Sequence, residues 1–288
     1  MAQSSEQAVP WSPSVYDVVV NGVRLRVEEE GSGDETIVFS HGMLRDRRMF
    51  DAQVAVLREG YRCVRYDHRG QGDSETPRDT VIEIETVYDD AVALIEALGV
   101  GPCHWVGLSM GGFVGMRLAA RRPDLLRSVV LMETSGAHGN PARTAVEMRM
   151  GLAAMSILGS SLTSKLFLEP TMRSLYGSTF RHDTSRRDDY AAERADVQKK
   201  LRTTSPAVVR GVVKRPAVLD ELPRIRVPTL VIAGAEDTPI PPKMAKRLAA
   251  AIPQARFEVI PGAGHSSSVE QPTKITAAIS NFIEQLPR

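Results

Sequence analysis

Cysteine is nearly absent from this chain: Cys63 and Cys103 are the only two in 288 residues, and neither sits in a C-x-x-C pair or a Cys/His cluster. That usage gives no support for a disulfide, a thiolate metal site or a nucleophilic thiol, and it leaves two packed thiols in buried strands. A charge excess is missing as well. The 36 Lys and Arg are scattered among 35 Asp and Glu for a formal net charge of +1, so there is no electrostatic footprint for nucleic acid and no basic amphipathic anchor. No apolar run is long enough to span a bilayer, and the segment Met1-Ala2-Gln3-Ser4-Ser5-Glu6 lacks both a basic n-region and an apolar h-region. The expectation is a cytoplasmic protein with no membrane and no nucleic-acid partner. Neither H-E-x-x-H nor G-x-x-x-x-G-K-[ST] occurs, so neither a zincin site nor a phosphate loop is implied.

What the chain does have is enough apolar sequence, 42% of residues, for one substantial core, and α/β chains of this length are routinely single domains. Two strands, 15–20 and 23–28, flank Asn21-Gly22, a dipeptide suited to a two-residue hairpin. Strands near 36–40, 61–66, 102–108, 128–133, 229–234 and 256–260 then alternate with helical stretches near 47–59, 84–98, 110–122, 243–251 and 272–286. That order predicts a mostly parallel sheet with helices on both faces and its site at the carboxyl ends of the strands.

The rhythm breaks between Glu133 and Pro228, where helical signals at 142–158, 165–175, 188–202 and 206–214 occur with no convincing strand. The chain therefore divides into core residues 1–135 and 215–288, with a helical cap at 136–214 inserted above the site. Met148, Met150, Met155, Met172, Leu158, Leu162, Leu166, Phe167 and Leu168 of that segment are first of all candidates for packing the cap onto the core. Of these, Met150, Met155 and Phe167 are the candidates for lining an apolar substrate pocket, where flexible side chains adapt to varied shapes.

Gly107-Leu108-Ser109-Met110-Gly111 lies between an apolar run and a small-residue stretch and reads as a nucleophile elbow. A serine on a sharp strand-to-helix turn exposes its hydroxyl above the sheet, and the following helix points free N–H groups at any oxyanion formed there. Gly111, Gly112 and Gly115 fall on one helical face that can pack tightly on a sheet. The nucleophile needs a base and an orienting acid, which in this arrangement follow in the order acid, then histidine. The strand ending at Gly234 runs into Asp237, and the strand ending at Ile260 is followed by Pro261-Gly262-Ala263-Gly264-His265. Ser109, Asp237 and His265 thus fall in the required order at successive strand ends.

With these residues on the page, the chain resembles the α/β-hydrolase superfamily along nearly its whole length. Ser40-His41-Gly42-Met43 looks like the family's oxyanion loop, and Tyr66-Asp67-His68-Arg69-Gly70-Gln71-Gly72-Asp73-Ser74 looks like its D-x-R-G-x-G-x-S loop. The elbow with Gly112, Gly262-Ala263-Gly264-His265 and Val269-Glu270-Gln271-Pro272 is most similar to 3-oxoadipate enol-lactonase-like esterases and lactonases. The resemblance implies the α/β-hydrolase fold with an inserted cap, a Ser109-His265-Asp237 triad, and an oxyanion hole formed by the backbone N–H groups of Met43 and Met110. It also gives His41 the task of holding the oxyanion loop.

Other residues have blander readings. Glu236 is chemically able to orient a histidine, yet the pattern G-x-x-D from Gly234 selects Asp237 and leaves Glu236 solvated; Glu133 is a further candidate acid at the end of the sixth strand. His104 reads as a core histidine, while His68, His138 and His182 carry no motif, and Asp67, Arg69 and Asp73 read as braces of their loop. The expected chemistry is two-step acyl transfer on a small-molecule ester or lactone, with no metal and no organic cofactor; oligomeric state is left open. Rival readings are a C–C bond hydrolase of ring-cleavage products, a cofactor-free perhydrolase, and a non-catalytic small-molecule receptor. Members of the first group often carry Trp after the histidine, where this chain has Ser266.

Overall fold

The computed structural model describes residues 13–137, 150, 153, 161–162 and 164–287. Its strands are β1 (Ser14–Val20), β2 (Val23–Glu30), β3 (Thr36–Ser40), β4 (Arg62–Tyr66), β5 (Cys103–Leu108), β6 (Leu126–Met132), β7 (Thr229–Gly234) and β8 (Arg256–Ile260). Every residue of β3, β5 and β7 is buried, as follows for central parallel strands covered on both faces, whose sequences read as apolar runs rather than alternations. The sheet order is β1-β2-β4-β3-β5-β6-β7-β8. The β1–β2 and β2–β4 pairings are antiparallel and the rest parallel. The first hairpin turns at Asn21 and Gly22, with φ of 48° and 72°, both in the left-handed region that a type I′ turn requires.

The described α-helices are α1 (Asp51–Leu57), α2 (Ile84–Leu98), α3 (Met110–Arg121), α4 (164–175), α5 (Ser178–His182), α6 (Arg187–Thr203), α7 (Pro206–Lys214), α8 (Pro242–Ala251), α9 (Ser267–Glu270) and α10 (Pro272–Glu284). Side chains of β5 alternate between two cores. Trp105 belongs to the core that includes residues of α2, α3 and α8, and Val106 to the core that includes residues of α1 and α10. The mostly parallel, doubly covered architecture expected from the element order is the one observed. α3 lies close on the sheet because a Cβ at Gly111 would collide with Ser40 O, one at Gly112 with Thr134 and one at Gly115 with Trp105.

Two local departures have plain causes. The stretch read as a helix from 47 opens instead with a 3-10 turn, Arg47–Phe50, because the Asp46 side chain accepts the Arg48 N–H at 3.0 Å and starts the chain there. α9 is four residues long, too short to leave a periodic signal. Between β6 and β7 the described residues form helices α4 to α7 and no strand. Leu168, Met172, Tyr176, Phe180 and Val197 give this segment a small core of its own. Leu168 and Met172 are buried in this separate cluster and belong to neither cluster of the sheet, where packing onto the core was expected, whereas Leu162 and Leu166 are exposed; Met148, Met155 and Leu158 lie outside the described residues. No helix among the described residues is long and apolar enough to cross a membrane. Cys63 and Cys103 are free and buried, and burial pushes both thiols up to about 12.

Candidate active site

β5 ends at Leu108 and α3 begins at Met110, so Ser109 alone makes the turn, at φ 53° and ψ −104°. For a residue with a Cβ that backbone costs on the order of 1–3 kcal/mol and persists only where neighbours impose it. Here they do: Ser109 N–H donates to Met132 O at 2.8 Å, and Ser109 O accepts from Phe113 N–H at 2.9 Å and Thr134 Oγ1 at 3.1 Å. The side chain stands half-buried at the N-terminus of α3 with no hydrogen-bond partner among the described residues. Strand register aligns Leu108 with Met132, Met132 with Ile232, and Gly234 with Ile260. The chain segments carrying Ser109, Glu133, Asp237 and His265 therefore leave one edge of the sheet.

Asp237 is buried and uses both carboxylate oxygens: Oδ1 accepts Ile240 N–H at 2.9 Å, and Oδ2 pairs with His265 Nδ1 at 2.9 Å. An anionic acceptor at Nδ1 keeps the proton on that nitrogen and leaves the lone pair on Nε2. Burial raises the Asp237 pKa, and the charge and hydrogen bond of His265 pull it back. Of the three residues expected at the site, Asp237 and His265 are thus in direct contact, and Ser109 stands at the same sheet edge without a hydrogen bond to either.

The loop after β3 approaches the serine directly, since a Cβ on Gly42 would lie 3.5 Å from Ser109 Cβ. His41 holds this loop. Its Nε2 accepts His68 N–H at 3.0 Å, which assigns the ring proton to Nδ1, and Nδ1 donates to Gly42 O at 2.7 Å. Burial lowers the pKa of both His41 and His68, so both rings are neutral spacers. Leu44 has φ 61° and donates its N–H to Gln71 Oε1 at 2.9 Å, while Gln71 Nε2 reaches Met110 Sδ at 3.7 Å. Gln71 therefore bridges the two segments that carry the Met43 and Met110 N–H groups. As the first residue of α3, Met110 has an N–H with no intrahelical acceptor. Asp67 and Asp73 brace their loop through Arg47, at 2.7 and 2.9 Å, as expected of them.

Several contacts had no sequence signal. Arg45 pairs with Glu193 of α6 at 2.7 Å and donates to Tyr176 Oη at 2.6 Å. The neighbouring Asp46 meets Lys200 of α6 in an ion pair whose side chains are 5% and 3% exposed. The loop after β3, on one side of the site, is thereby tied to the segment between β6 and β7. Glu236 keeps the partial solvent exposure expected of it and in addition accepts Thr179 N–H at 2.9 Å, because the N-terminus of α5 lands on it. Glu133, at φ 43°, accepts from Ser267 Oγ at 2.9 Å rather than pairing with His265, and its other oxygen has no hydrogen-bond partner among the described residues. Burial, then the charge of Asp237, raises its pKa well above the carboxylate range. Glu270 is buried with three backbone N–H donors, and burial pushes its carboxyl up to about 7 against their pull.

His104 is the core histidine expected, bonded to Ser128 Oγ at 2.8 Å. Met150 is 58% exposed, Phe167 is half-buried on α4, and Met155 lies outside the described residues. Among the described residues no group of three His, Cys, Asp or Glu side chains could hold a metal ion.

Residues 35–272 match the family model described as the alpha/beta hydrolase fold. A protein of Caulobacter sp. provisionally named carbamate hydrolase RutD is 28% identical over 256 residues, 88% of this chain and 91% of its own length. The 3-oxoadipate enol-lactonase 1 of Acinetobacter baylyi is 27% identical over 256 residues, 87% of this chain and 89% of its own. A thermophilic esterase from Thermogutta terrifontis superposes with a TM-score of 0.82 at 28% identity, covering 96% of this chain and 99% of that one. By its eight-stranded sheet, its elbow and this match over most of its length, the chain belongs to the α/β-hydrolase fold family.

Proposed function

We propose that this protein is a serine hydrolase that cleaves a carboxylic ester or lactone through an acyl-enzyme on Ser109. One observation carries the reading: a buried Asp237–His265 hydrogen bond of 2.9 Å leaves Nε2 free as an acceptor at the sheet edge where Ser109 makes the strained turn. Nε2 takes the Ser109 proton as Oγ attacks the substrate carbonyl, and the imidazolium is stabilised by Asp237. The N–H groups of Met43 and Met110 receive the oxyanion, each worth roughly 3–4 kcal/mol in comparable sites. The imidazolium then protonates the leaving oxygen, and the same histidine activates the water that clears the acyl group. Every step is carried by these side chains and main-chain N–H groups. The segment 136–214 serves as a cap that selects the acyl and leaving groups, with Met150, Met155 and Phe167 among its lining residues.

Likeness to an enol-lactonase and an esterase supports ester and lactone substrates, and the likeness to RutD makes a carbamate the informative competitor. The test is turnover of short and medium p-nitrophenyl esters, an enol-lactone, an aryl carbamate and a dienoic C–C substrate by wild type and Ser109→Ala. Ester or lactone turnover is expected, with a loss of about a thousandfold or more in a normally folded Ser109→Ala. Near-wild-type turnover by that variant would remove the nucleophile assignment, and preference for the carbamate or the dienoic substrate would remove the substrate class.

A further inference from the structure

Glu270 is 1% exposed, and the acyl-transfer scheme gives it no task. Its two carboxylate oxygens accept three backbone N–H groups: Oε1 that of Ser266 at 3.0 Å, and Oε2 those of Gly264 at 2.9 Å and Gly177 at 2.7 Å. Gly264 and Ser266 are the two chain neighbours of His265. Gly177 belongs to the turn between α4 and α5, outside the core. One carboxylate thus holds the main chain on both sides of the histidine and fastens it to the segment inserted between β6 and β7.

The packing allows little else. A Cβ at Gly264 would collide with Gly177 N, and one at Gly234 with Gly264 O. The turn at Gly177 and the loops that carry His265 and Asp237 are therefore stacked backbone against backbone. On the other side of that turn, Thr179 N–H donates to Glu236, the chain neighbour of Asp237. Both arms of the inserted turn end on carboxylates next to the Asp237–His265 pair.

We propose that Glu270 is a positioning residue for His265: it fixes the backbone at 264 and 266, and with it the direction of Nε2, and makes that direction depend on docking of the Gly177 turn. The inference rests on the reading of Ser109, Asp237 and His265 as a catalytic triad. Proton transfer is sensitive to displacements well under an ångström, so releasing the backbone on both sides of the base lowers the rate of the chemical step more than substrate affinity. A carboxylate with three N–H donors has no ready substitute. Glutamine offers one oxygen and sets an NH2 group against the N–H groups on the other side.

The experiment compares Glu270→Gln and Glu270→Asp with wild type on p-nitrophenyl acetate, with active sites counted by a fluorophosphonate. For Glu270→Gln, kcat per titrated site should fall about 10- to 100-fold, the usual worth of hydrogen bonds to a charged group, while KM stays within about twofold. The phosphonylation rate constant should fall in parallel with kcat, and Glu270→Asp, which keeps the charge, should recover part of both. Should Glu270→Gln not fold, the same ratios are read from Glu270→Asp against wild type. A lower Tm with kcat per titrated site unchanged would make Glu270 a structural staple and overturn the proposal. That outcome differs from failure of the triad itself, which would appear as turnover surviving Ser109→Ala.

Discussion

Replacing Asp237 with Asn tests the orienting acid, and the size of the effect can be worked from two hydrogen bonds. Asp237 gives one oxygen to Ile240 N–H and the other to His265 Nδ1–H, both at 2.9 Å. Asparagine has a single oxygen. If that oxygen stays with Ile240, the amide NH2 faces Nδ1, the proton moves to Nε2, and the imidazole cannot accept from Ser109. The opposite orientation keeps the productive tautomer but sets NH2 against the Ile240 N–H, a buried unpaired donor costing about 1–3 kcal/mol. Loss of the anion that steadies the imidazolium adds about 1–2 kcal/mol, the difference between a charged and a neutral hydrogen bond. Together these come to about 2–5 kcal/mol, or roughly 30- to 5,000-fold in kcat/KM. The assay is kcat/KM on p-nitrophenyl butyrate for Asp237→Asn, Glu236→Gln and Glu133→Gln, each checked for fold by circular dichroism. The two glutamine variants should stay close to wild type, because Glu236 bonds Thr179 and Glu133 bonds Ser267, whereas His265 bonds Asp237. Equal losses in Asp237→Asn and Glu133→Gln, or the reverse order, would refute the tautomer argument and move the acid to the end of β6.

Three further outcomes follow from the same contacts. The pKa of Glu133 in the folded chain stands well above its ordinary 4.5, with Asp237 and Glu270 as its charged neighbours. The folded chain therefore keeps a proton that the unfolded chain releases above that pH, and the associated stability is full below 4.5 and falls as pH rises toward the folded value. Glu133→Gln has no such loss, so its Tm relative to wild type should improve as pH rises above the ordinary carboxylate range; a pH-independent difference contradicts this. Lys200→Met leaves the buried Asp46 with the half-exposed Arg48 as its one cationic partner among the described residues, which should cost about 3 kcal/mol and lower Tm by about 6–12 °C. An unchanged melting curve would mean that the ion pair contributes nothing. Trimming Met150, Met155 or Phe167 to Ala should shift relative kcat/KM between short and bulky esters by about tenfold per 1.4 kcal/mol of differential binding. Lower stability with no change of preference at any of the three would end the selector role of the segment 136–214.

The legible parts of this fold are those whose signal is local. The apolar runs of β3, β5 and β7 mark central strands, Asn21-Gly22 marks the hairpin, and the elbow glycines mark where α3 must approach β3. Asp237 and His265 could be read because each follows a strand end by a short loop, so chain position fixes spatial position. What escaped the sequence depends on partners far along the chain. Lys200 and Asp46 are 154 residues apart, and Arg45 and Tyr176 are 131 apart; no periodicity announces such pairs. The contact of Glu236 with Thr179 N–H was not legible because it comes from the start of a five-residue helix that carries almost no pattern. Glu270 was visible as part of a motif, but its partners are backbone N–H groups, which have no letter in the sequence.

The central claim, an acyl-enzyme on Ser109, is tested most directly by labelling the protein to completion with a fluorophosphonate and mapping the adduct by peptide mass spectrometry. The expected result is a single adduct per chain, on the peptide carrying Ser109, with ester turnover lost in proportion to labelling and no adduct in Ser109→Ala. An adduct on another residue, or full turnover by completely labelled protein, would contradict it.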